Sequence, residues 1–165
     1  MRSALDAFRS TPLPVIAAID GGCFGAGVAL AIACDIRVAG LAARFATTPA
    51  KLGIGYPLED IARLRALVGD GQAARMLFSA ETIGAEEAAR IGLIEIVGGD
   101  AEGLARSVAT NPPASLAMLK RGLGLAAAGG TSDAGHDAAF DALFGGADFA
   151  AGMVAYRGRS RNGLA

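Results

Sequence analysis

Four glycines within seven residues, at positions 21, 22, 25 and 27, form the part of this sequence best suited to bind a ligand through its backbone. A run of small apolar residues follows and predicts a helix over 26–33. The amides of Gly25, Ala26 and Gly27 then lie at a helix start, where N–H groups lack intrahelical acceptors and the helix dipole is positive. Because Ala26 has a glycine on either side, a substrate oxygen could approach its N–H group. This arrangement predicts one half of an oxyanion hole.

The same glycines allow a second interpretation, in which they only let a buried helix approach its sheet closely. A dinucleotide site would need G-x-G-x-x-G directly after a strand and an acidic residue at the end of the next strand. The order here is Gly22-x-x-Gly25-x-Gly27, and Asp35 precedes the next strand, so this interpretation is weak. A phosphate-binding P-loop is excluded because no Gly-Lys-Ser/Thr follows.

Short strands and an apolar helix are expected to position the glycine turn. The patterns predict a helix over 1–9 ended by "STPLP", a buried strand over 15–20, the helix over 26–33, and strands over 36–40 and 43–47. A helix without a polar face is expected to be buried on all sides.

A loop rich in proline and glycine, 49–60, separates these elements from a mainly helical remainder. Helices are predicted over 61–68, from Asp70 as its cap to residue 80, and from 84 to a stop at Gly92, followed by a strand over 94–97. From Ala101 onward helices dominate, broken at 111–113 and at 126–133.

Composition bounds the class of protein. A chain of 165 residues is one ordinary domain or a large part of one, and its net charge of −1, with 15 dispersed Lys and Arg, argues against a nucleic-acid partner. The longest uncharged stretch, Gly21 to Cys34, is too short and glycine-rich to span a membrane, and the first residues do not predict a signal peptide.

Cysteine and histidine usage points to an intracellular protein without a metal site. Cys23 and Cys34 fit no metal-ligand spacing and are predicted to be buried thiols in a reducing, cytoplasmic setting. With His136 as the single histidine, a multi-histidine metal site within the chain is excluded.

The order of these motifs resembles the crotonase, or enoyl-CoA hydratase/isomerase, superfamily. The resemblance rests on "PVIAAIDGGCFGAGVALAIACDIRVAG", "ARF" and "KLGI", on "GAEEAARIGLIEIV", and on the closing "FGGADFAAGMVAYRGRS". It implies an α/β fold with a crotonase-like (ClpP/crotonase) ββα spiral core over 1–98 and a C-terminal helical trimerisation region over 99–165. It also implies a homotrimer or hexamer that takes an acyl-CoA substrate, with coenzyme A as part of that substrate and no separate cofactor.

The resemblance assigns roles to particular residues. Family members bind a thioester oxygen between two backbone N–H groups, and the match places the helix-start donor at Ala26. It places Phe24, Gly25, Gly27, Pro49, Leu52 and Tyr56 with Ala26 in the substrate pocket. The two glutamates of the hydratases correspond to Ala29 and to the loop position occupied by Pro49 and Ala50. Because none of these residues can transfer a proton, hydration is disfavoured.

The loop "FATTPAKLGIGYPLED" resembles a branch that includes methylmalonyl-CoA decarboxylase, and that match implies a catalytic tyrosine at Tyr56. Its hydroxyl could orient a substrate carboxylate or protonate the enolate, and the alternative is a tyrosine that packs over a turn. A decarboxylase or isomerase is therefore expected rather than a hydratase. An inactive crotonase-like module with an assembly role remains the alternative.

Other polar residues are expected to be peripheral. Lys51 is predicted to be solvated, and Glu59 and Asp60 to complement the start of the next helix, although a Glu59-dependent isomerase stays open. His136 is predicted at the surface, and Arg159 corresponds to a basic position that relatives place near the CoA phosphates.

The match begins near the end of a helix, so the early part of the spiral, the second oxyanion donor and many CoA contacts of family members lie before it. Three explanations are open: a fragment of a full enzyme, a chain that pairs with a partner supplying the other half, and a non-catalytic remnant that oligomerises. We expect the first.

Overall fold

The computed structural model describes the backbone of residues 2–162 and the side chains of residues 5–157. Contacts divide the chain into two compact units, one ending at Arg106 and one starting at Ser107. The proposed division after residue 98 stays a prediction. In chain order the elements are α1 (Arg2–Ser10), β1 (Ile16–Ile19), β2 (Gly22–Phe24), α2 (Ala26–Ala33), β3 (Ile36–Ala39), β4 (Arg44–Ala46), a 3₁₀ helix (Pro49–Leu52), α3 (Leu58–Ser79), β5 (Ile83–Gly84), α4 (Ala85–Arg90), β6 (Ile96–Val97), α5 (Ala101–Ala109), α6 (Pro113–Ala127), α7 (Ala134–Phe144) and α8 (Ala147–Asn162).

The first four strands alternate between two small sheets. The first sheet has the order β1-β3-β6 and is parallel throughout, and the second has the order β2-β4-β5 with β2 and β4 parallel and β5 antiparallel. Each β-β-helix unit, β1-β2-α2 and then β3-β4-α3, therefore contributes one strand to each sheet. This repeated ββα path is the spiral core that the sequence predicts.

Helix α2 lies at the centre of the first unit and has the predicted bounds. Its residues are all Ala, Gly, Val, Leu or Ile, and five of the eight are buried. The prediction that it is buried on all sides is wrong along one face, where Ala26 and Leu30 reach the surface. These two residues are four apart and so lie on the same side of the helix.

The core of the first unit is formed by side chains from α2, α3, α4 and both sheets. Its largest fully buried side chains include Phe45, Leu64, Met76, Ile83 and Leu93. One polar side chain, Thr47, is completely buried there, and its hydroxyl donates to the Met76 carbonyl. This bond satisfies a hydroxyl that would otherwise destabilise the core.

Strand β1 is less buried than predicted. It lies at the edge of its sheet, with β3 as its one strand partner among the described residues, and Ala18 is exposed. The strands β2 and β5 were not predicted: β2 lies within the stretch interpreted as the glycine turn, and β5 has only two residues directly before α4.

The two predicted helices at 61–68 and 70–80 are parts of α3, separated by a break at Gly69 (φ 76, ψ 167). The helix starts earlier than predicted, directly after Pro57, so Glu59 and Asp60 lie in its first turn. The predicted cap at Asp70 is wrong: its carboxylate pairs with Arg65 instead.

The second unit is helical, as predicted. Of its described side chains none is fully buried, and large apolar residues such as Leu119, Leu123 and Val154 are 62–73% exposed. Within residues 2–162 no single helix is long and apolar enough to cross a membrane, although α7 and α8, bent by 57°, reach the required length and composition as a pair.

Candidate active site

The glycine turn leaves the first two amides of α2 without an acceptor among the described residues. Gly25 precedes the helix with φ 50 and ψ −109, and no side chain caps the helix. The amide of Gly25 donates to the Ala46 carbonyl at 2.8 Å, and Ala29 donates to the Gly25 carbonyl at 3.2 Å. Between these two bonds, the amides of Ala26 and Gly27 have no acceptor within the part of the chain that is described. The predicted donor at Ala26 is therefore an unpaired N–H group of an exposed residue at a helix start.

Only glycine fits at position 25. A positive φ combined with ψ near −110° is a conformation that residues with a side chain avoid, as at the first central position of a type II′ turn. A Cβ added at Gly25 would also lie 2.8 Å from the Thr48 hydroxyl oxygen. The close approach of Thr48, from the loop after β4, brings the glycine turn and the start of the 49–60 loop together.

Tyr56 contacts the same turn from the far end of that loop. Its hydroxyl donates to the Gly25 carbonyl at 3.0 Å, and its ring packs against a small cluster of Leu5, Ala29 and Ala33. Burial raises the pKa of Tyr56, and the nearby charges of Asp60 and Cys23 raise it further, against the hydrogen bond from the Ala29 backbone. The hydroxyl is thus neutral at physiological pH, and its one proton is donated to the protein itself.

The predicted pocket residues differ in exposure. Phe24 is 48% exposed beside the helix start, Pro49 is half-buried at the beginning of the 3₁₀ helix, and Leu52 is 69% exposed at its end. The structure therefore joins Phe24, Gly25, Ala26, Gly27 and Tyr56 through the turn and its hydrogen bonds, and places Pro49 and Leu52 on the adjoining loop.

The acidic residues of the loop region are held in ion pairs. Asp60 is 2% exposed and accepts a hydrogen bond from Arg9 at 3.2 Å, while Glu59 pairs with both Arg9 and Arg63. Arg9 belongs to α1, so these pairs attach α1 to the start of α3. Sequence reasoning missed Arg9, because its partners lie 50 and 51 residues away.

The positions that correspond to the hydratase glutamates carry no ionisable group. Ala29 is 1% exposed and lies against the Tyr56 ring, and Ala50 is exposed on the 3₁₀ helix beside Pro49. Lys51, next in the chain, is exposed, as expected. Among the described residues, no three acidic, histidine or cysteine side chains come together in a way that could hold a metal.

Two of the residues predicted to be peripheral, His136 and Arg159, belong to the second unit. His136 was predicted at the surface, but it is half-buried in α7, and its imidazole contacts Gly122 of α6 closely enough that a Cβ there would lie 2.8 Å from Cε1. The side chain of Arg159 lies outside the described residues.

Burial of the Cys23 thiol in the glycine turn makes the free energy of unfolding depend on pH. Its side chain is buried, with Sγ 3.6 Å from the place of a Cβ on Gly27, and burial raises the pKa of the thiol from 9.0 to about 11. Because the folded-state pKa lies above the unfolded one, the thiol's contribution to stability is complete below about pH 9 and is lost as the pH rises towards about 11.

We expect the free energy of unfolding, measured by urea denaturation between pH 8 and 11 (roughly the titration range of a perturbed thiol), to fall more steeply in the wild type than in Cys23→Ala. Parallel curves for the two proteins would contradict this assignment.

Comparison with known proteins agrees with this fold. The model of the family described as "Enoyl-CoA hydratase/isomerase" matches residues 1–161. The "Probable enoyl-CoA hydratase echA6" of Mycobacterium bovis is 36% identical over 157 residues, which cover 94% of this chain and 63% of that protein. The "Short-chain-enoyl-CoA hydratase" of Clostridium acetobutylicum is 37% identical over 116 residues, covering 67% of this chain and 44% of that protein.

Solved structures give the same result. A crystal structure of an enoyl-CoA hydratase/isomerase family protein from Hyphomonas neptunium superposes with a TM-score of 0.87 at 38% identity, over 96% of this chain and 63% of that one. An enoyl-CoA hydratase/carnithine racemase from Magnetospirillum magneticum superposes with a TM-score of 0.89 at 28% identity, over 96% and 62% of the two chains. The chain thus spans less than two thirds of the length of these relatives. With a family model matched over nearly its whole length and the ββα spiral in place, the chain belongs to the enoyl-CoA hydratase/isomerase family and has the crotonase fold.

Proposed function

We propose that this chain carries the enolate-stabilising half of an acyl-CoA site, in which the Ala26 amide binds the thioester oxygen of the substrate. The observation that carries the proposal is the unpaired amide of Ala26, an exposed residue at the start of α2. A backbone donor aimed at a developing oxyanion contributes about 2.7–4 kcal/mol to the transition state. Because the donor is a backbone N–H group, the proposed role needs no functional side chain at position 26.

The reaction we propose is decarboxylation of a malonyl-type thioester, as in the branch that includes methylmalonyl-CoA decarboxylase, rather than hydration. Two of the relatives above are named as hydratases. Adding water to a double bond, however, needs a group that takes a proton from water and one that gives a proton to carbon. Ala29, Pro49 and Ala50 cannot supply these groups, and Glu59 and Asp60 are paired with Arg9.

Decarboxylation needs fewer acid–base side chains than hydration does. The bond between the α-carbon and the carboxylate breaks, its electron pair passes into the thioester as an enolate, and carbon dioxide leaves. The enolate oxygen is the atom that the Ala26 amide would stabilise, and the α-carbon then takes a proton from water. Proton removal, which the absent glutamates would perform, is not part of the reaction.

Calorimetry and turnover test the proposal together. We expect heat of binding with a non-hydrolysable malonyl-CoA analogue, and turnover of a malonyl-type thioester above that of crotonyl-CoA. Since each missing acid–base group typically costs about 10²–10⁴-fold, hydration of crotonyl-CoA should be close to the uncatalysed rate. Faster hydration than decarboxylation would overturn the preferred reaction, and no binding of either thioester would overturn the enzymatic proposal.

The second candidate is an assembly role, as a homotrimer or hexamer built through the helical unit. It is favoured by the second unit, which has no fully buried side chain among those described and exposes Leu119, Leu123 and Val154. Exposed apolar surface of this kind commonly marks an interface between chains. A trimeric or hexameric mass in light scattering, combined with no thioester binding, would support the assembly role and not the enzymatic one.

A further inference from the structure

We propose that Tyr56 is a positioning residue: its hydroxyl, by bonding to the Gly25 carbonyl, holds the Gly25–Ala26 peptide group in the orientation that presents the Ala26 amide. The inference rests on the proposed function, which gives that amide the substrate oxygen. It assigns Tyr56 a different role from the one expected from the sequence, where its hydroxyl acts directly on the substrate.

Tyr56 and the Ala26 amide are linked through the geometry of one peptide group. The carbonyl of Gly25 and the amide of Ala26 belong to the same peptide, and the described residues contain no cis peptide bond. In a planar trans peptide the C=O and N–H bonds point in opposite directions. Whatever fixes the direction of the Gly25 oxygen therefore also fixes the direction of the Ala26 N–H group, on the far side from Tyr56.

Position 25 needs an external constraint, because glycine itself supplies little. Glycine populates positive and negative φ about equally, so the backbone alone does not select one orientation of the peptide. Here the amide of Gly25 is held by the Ala46 carbonyl at 2.8 Å, and its carbonyl accepts from Ala29 at 3.2 Å and from Tyr56 at 3.0 Å. Tyr56 supplies the one side-chain hydrogen bond in this set.

Tyr56 is well placed to act as a fixed donor. Its ring packs against Leu5, Ala29 and Ala33, which join it to α1 and α2, and Arg9 of α1 in turn pairs with Asp60. A tyrosine hydroxyl has a single proton, and in this structure the hydroxyl donates it in a hydrogen bond to the Gly25 carbonyl. A group that has donated its proton to the protein cannot deliver the same proton to an enolate without releasing the turn.

The first test needs no ligand. Tyr56→Phe removes only the hydroxyl, and Tyr156→Phe is the matched control, because Tyr156 is the second of the two tyrosines and lies in α8, 64% exposed. We expect the Gly25 carbonyl ¹³C and Ala26 amide ¹⁵N–¹H resonances to shift, with added exchange broadening, in Tyr56→Phe and to stay in place in Tyr156→Phe. Unchanged resonances in Tyr56→Phe would overturn the inference even if the wild type binds no thioester.

The second test separates positioning from acid catalysis. A neutral hydrogen bond contributes modestly, so Tyr56→Phe should lower kcat by about tenfold or less, with KM nearly unchanged and the pH profile of the wild type retained. If Tyr56 were instead the general acid, the loss would be about 10²–10⁴-fold and one limb of the pH profile would disappear. That second result would overturn the positioning role while supporting the proposed enzyme. Absence of turnover in the wild type would count against the proposed function. The comparison of NMR resonances would still test the positioning role of Tyr56.

Discussion

Replacing Ala26 with proline is expected to lower kcat/KM on a malonyl-type thioester by about 10²–10³-fold, because proline has no N–H group to bind the enolate oxygen. Ala26 is the first residue of α2, the helical position at which proline is best tolerated. The preceding residue, Gly25, has no Cβ to meet the proline ring. The loss should therefore come from the missing donor and not from unfolding, and steady-state kinetics with circular dichroism of the same samples measures both.

Two further variants make this result interpretable. Ala26→Gly keeps the N–H group and should retain activity within about threefold, less than the loss of a single hydrogen bond. Ala134→Pro places proline at the first position of α7, after Asp133 in extended backbone (φ −155, ψ 116), and should leave activity unchanged. A fully active, folded Ala26→Pro protein would remove the Ala26 amide from the mechanism.

The sequence predicts the central helix well, because its composition leaves few alternatives. An eight-residue segment of small apolar residues between a glycine turn and a strand can only be a buried element, and the predicted bounds of 26–33 are those observed. The ββα spiral core also follows from the family resemblance. The exposed face of Ala26 and Leu30 does not, because hydrophobicity alone does not say which side of a helix lacks a covering element.

The contacts that shape the candidate site are distant in sequence, and that is why they could not be predicted. Tyr56 and Gly25 are 31 residues apart, and Arg9 and Asp60 are 51 apart. The motif identifies Tyr56 as a residue of interest, but only the folded chain shows that its hydroxyl bonds to the backbone of the turn. Local sequence patterns identify the chemical groups that are present. The path of the folded chain determines which of these groups come into contact.

Gly25→Ala is expected to lower the free energy of unfolding by about 3 kcal/mol, equivalent to about 6–12 °C in Tm for a chain of this size. Two causes add: a side chain is strained at φ 50 and ψ −109, and the new Cβ would lie 2.8 Å from the Thr48 hydroxyl oxygen. Relief of that strain would turn the Gly25–Ala26 peptide, so activity should fall together with stability.

Gly53→Ala is the control for the free-energy cost of placing a side chain at a positive φ without a steric clash. Gly53 has φ 68 and ψ 22, and a Cβ there meets no atom within 4 Å, so alanine should cost only about 1 kcal/mol. Adding Thr48→Ala to Gly25→Ala should recover the steric part of the loss and leave the backbone strain. Thermal unfolding of the four proteins measures each contribution, and equal losses for Gly25→Ala and Gly53→Ala would mean that the turn tolerates a side chain. In that event the close contact of Thr48 with Gly25 would no longer explain why glycine precedes the helix.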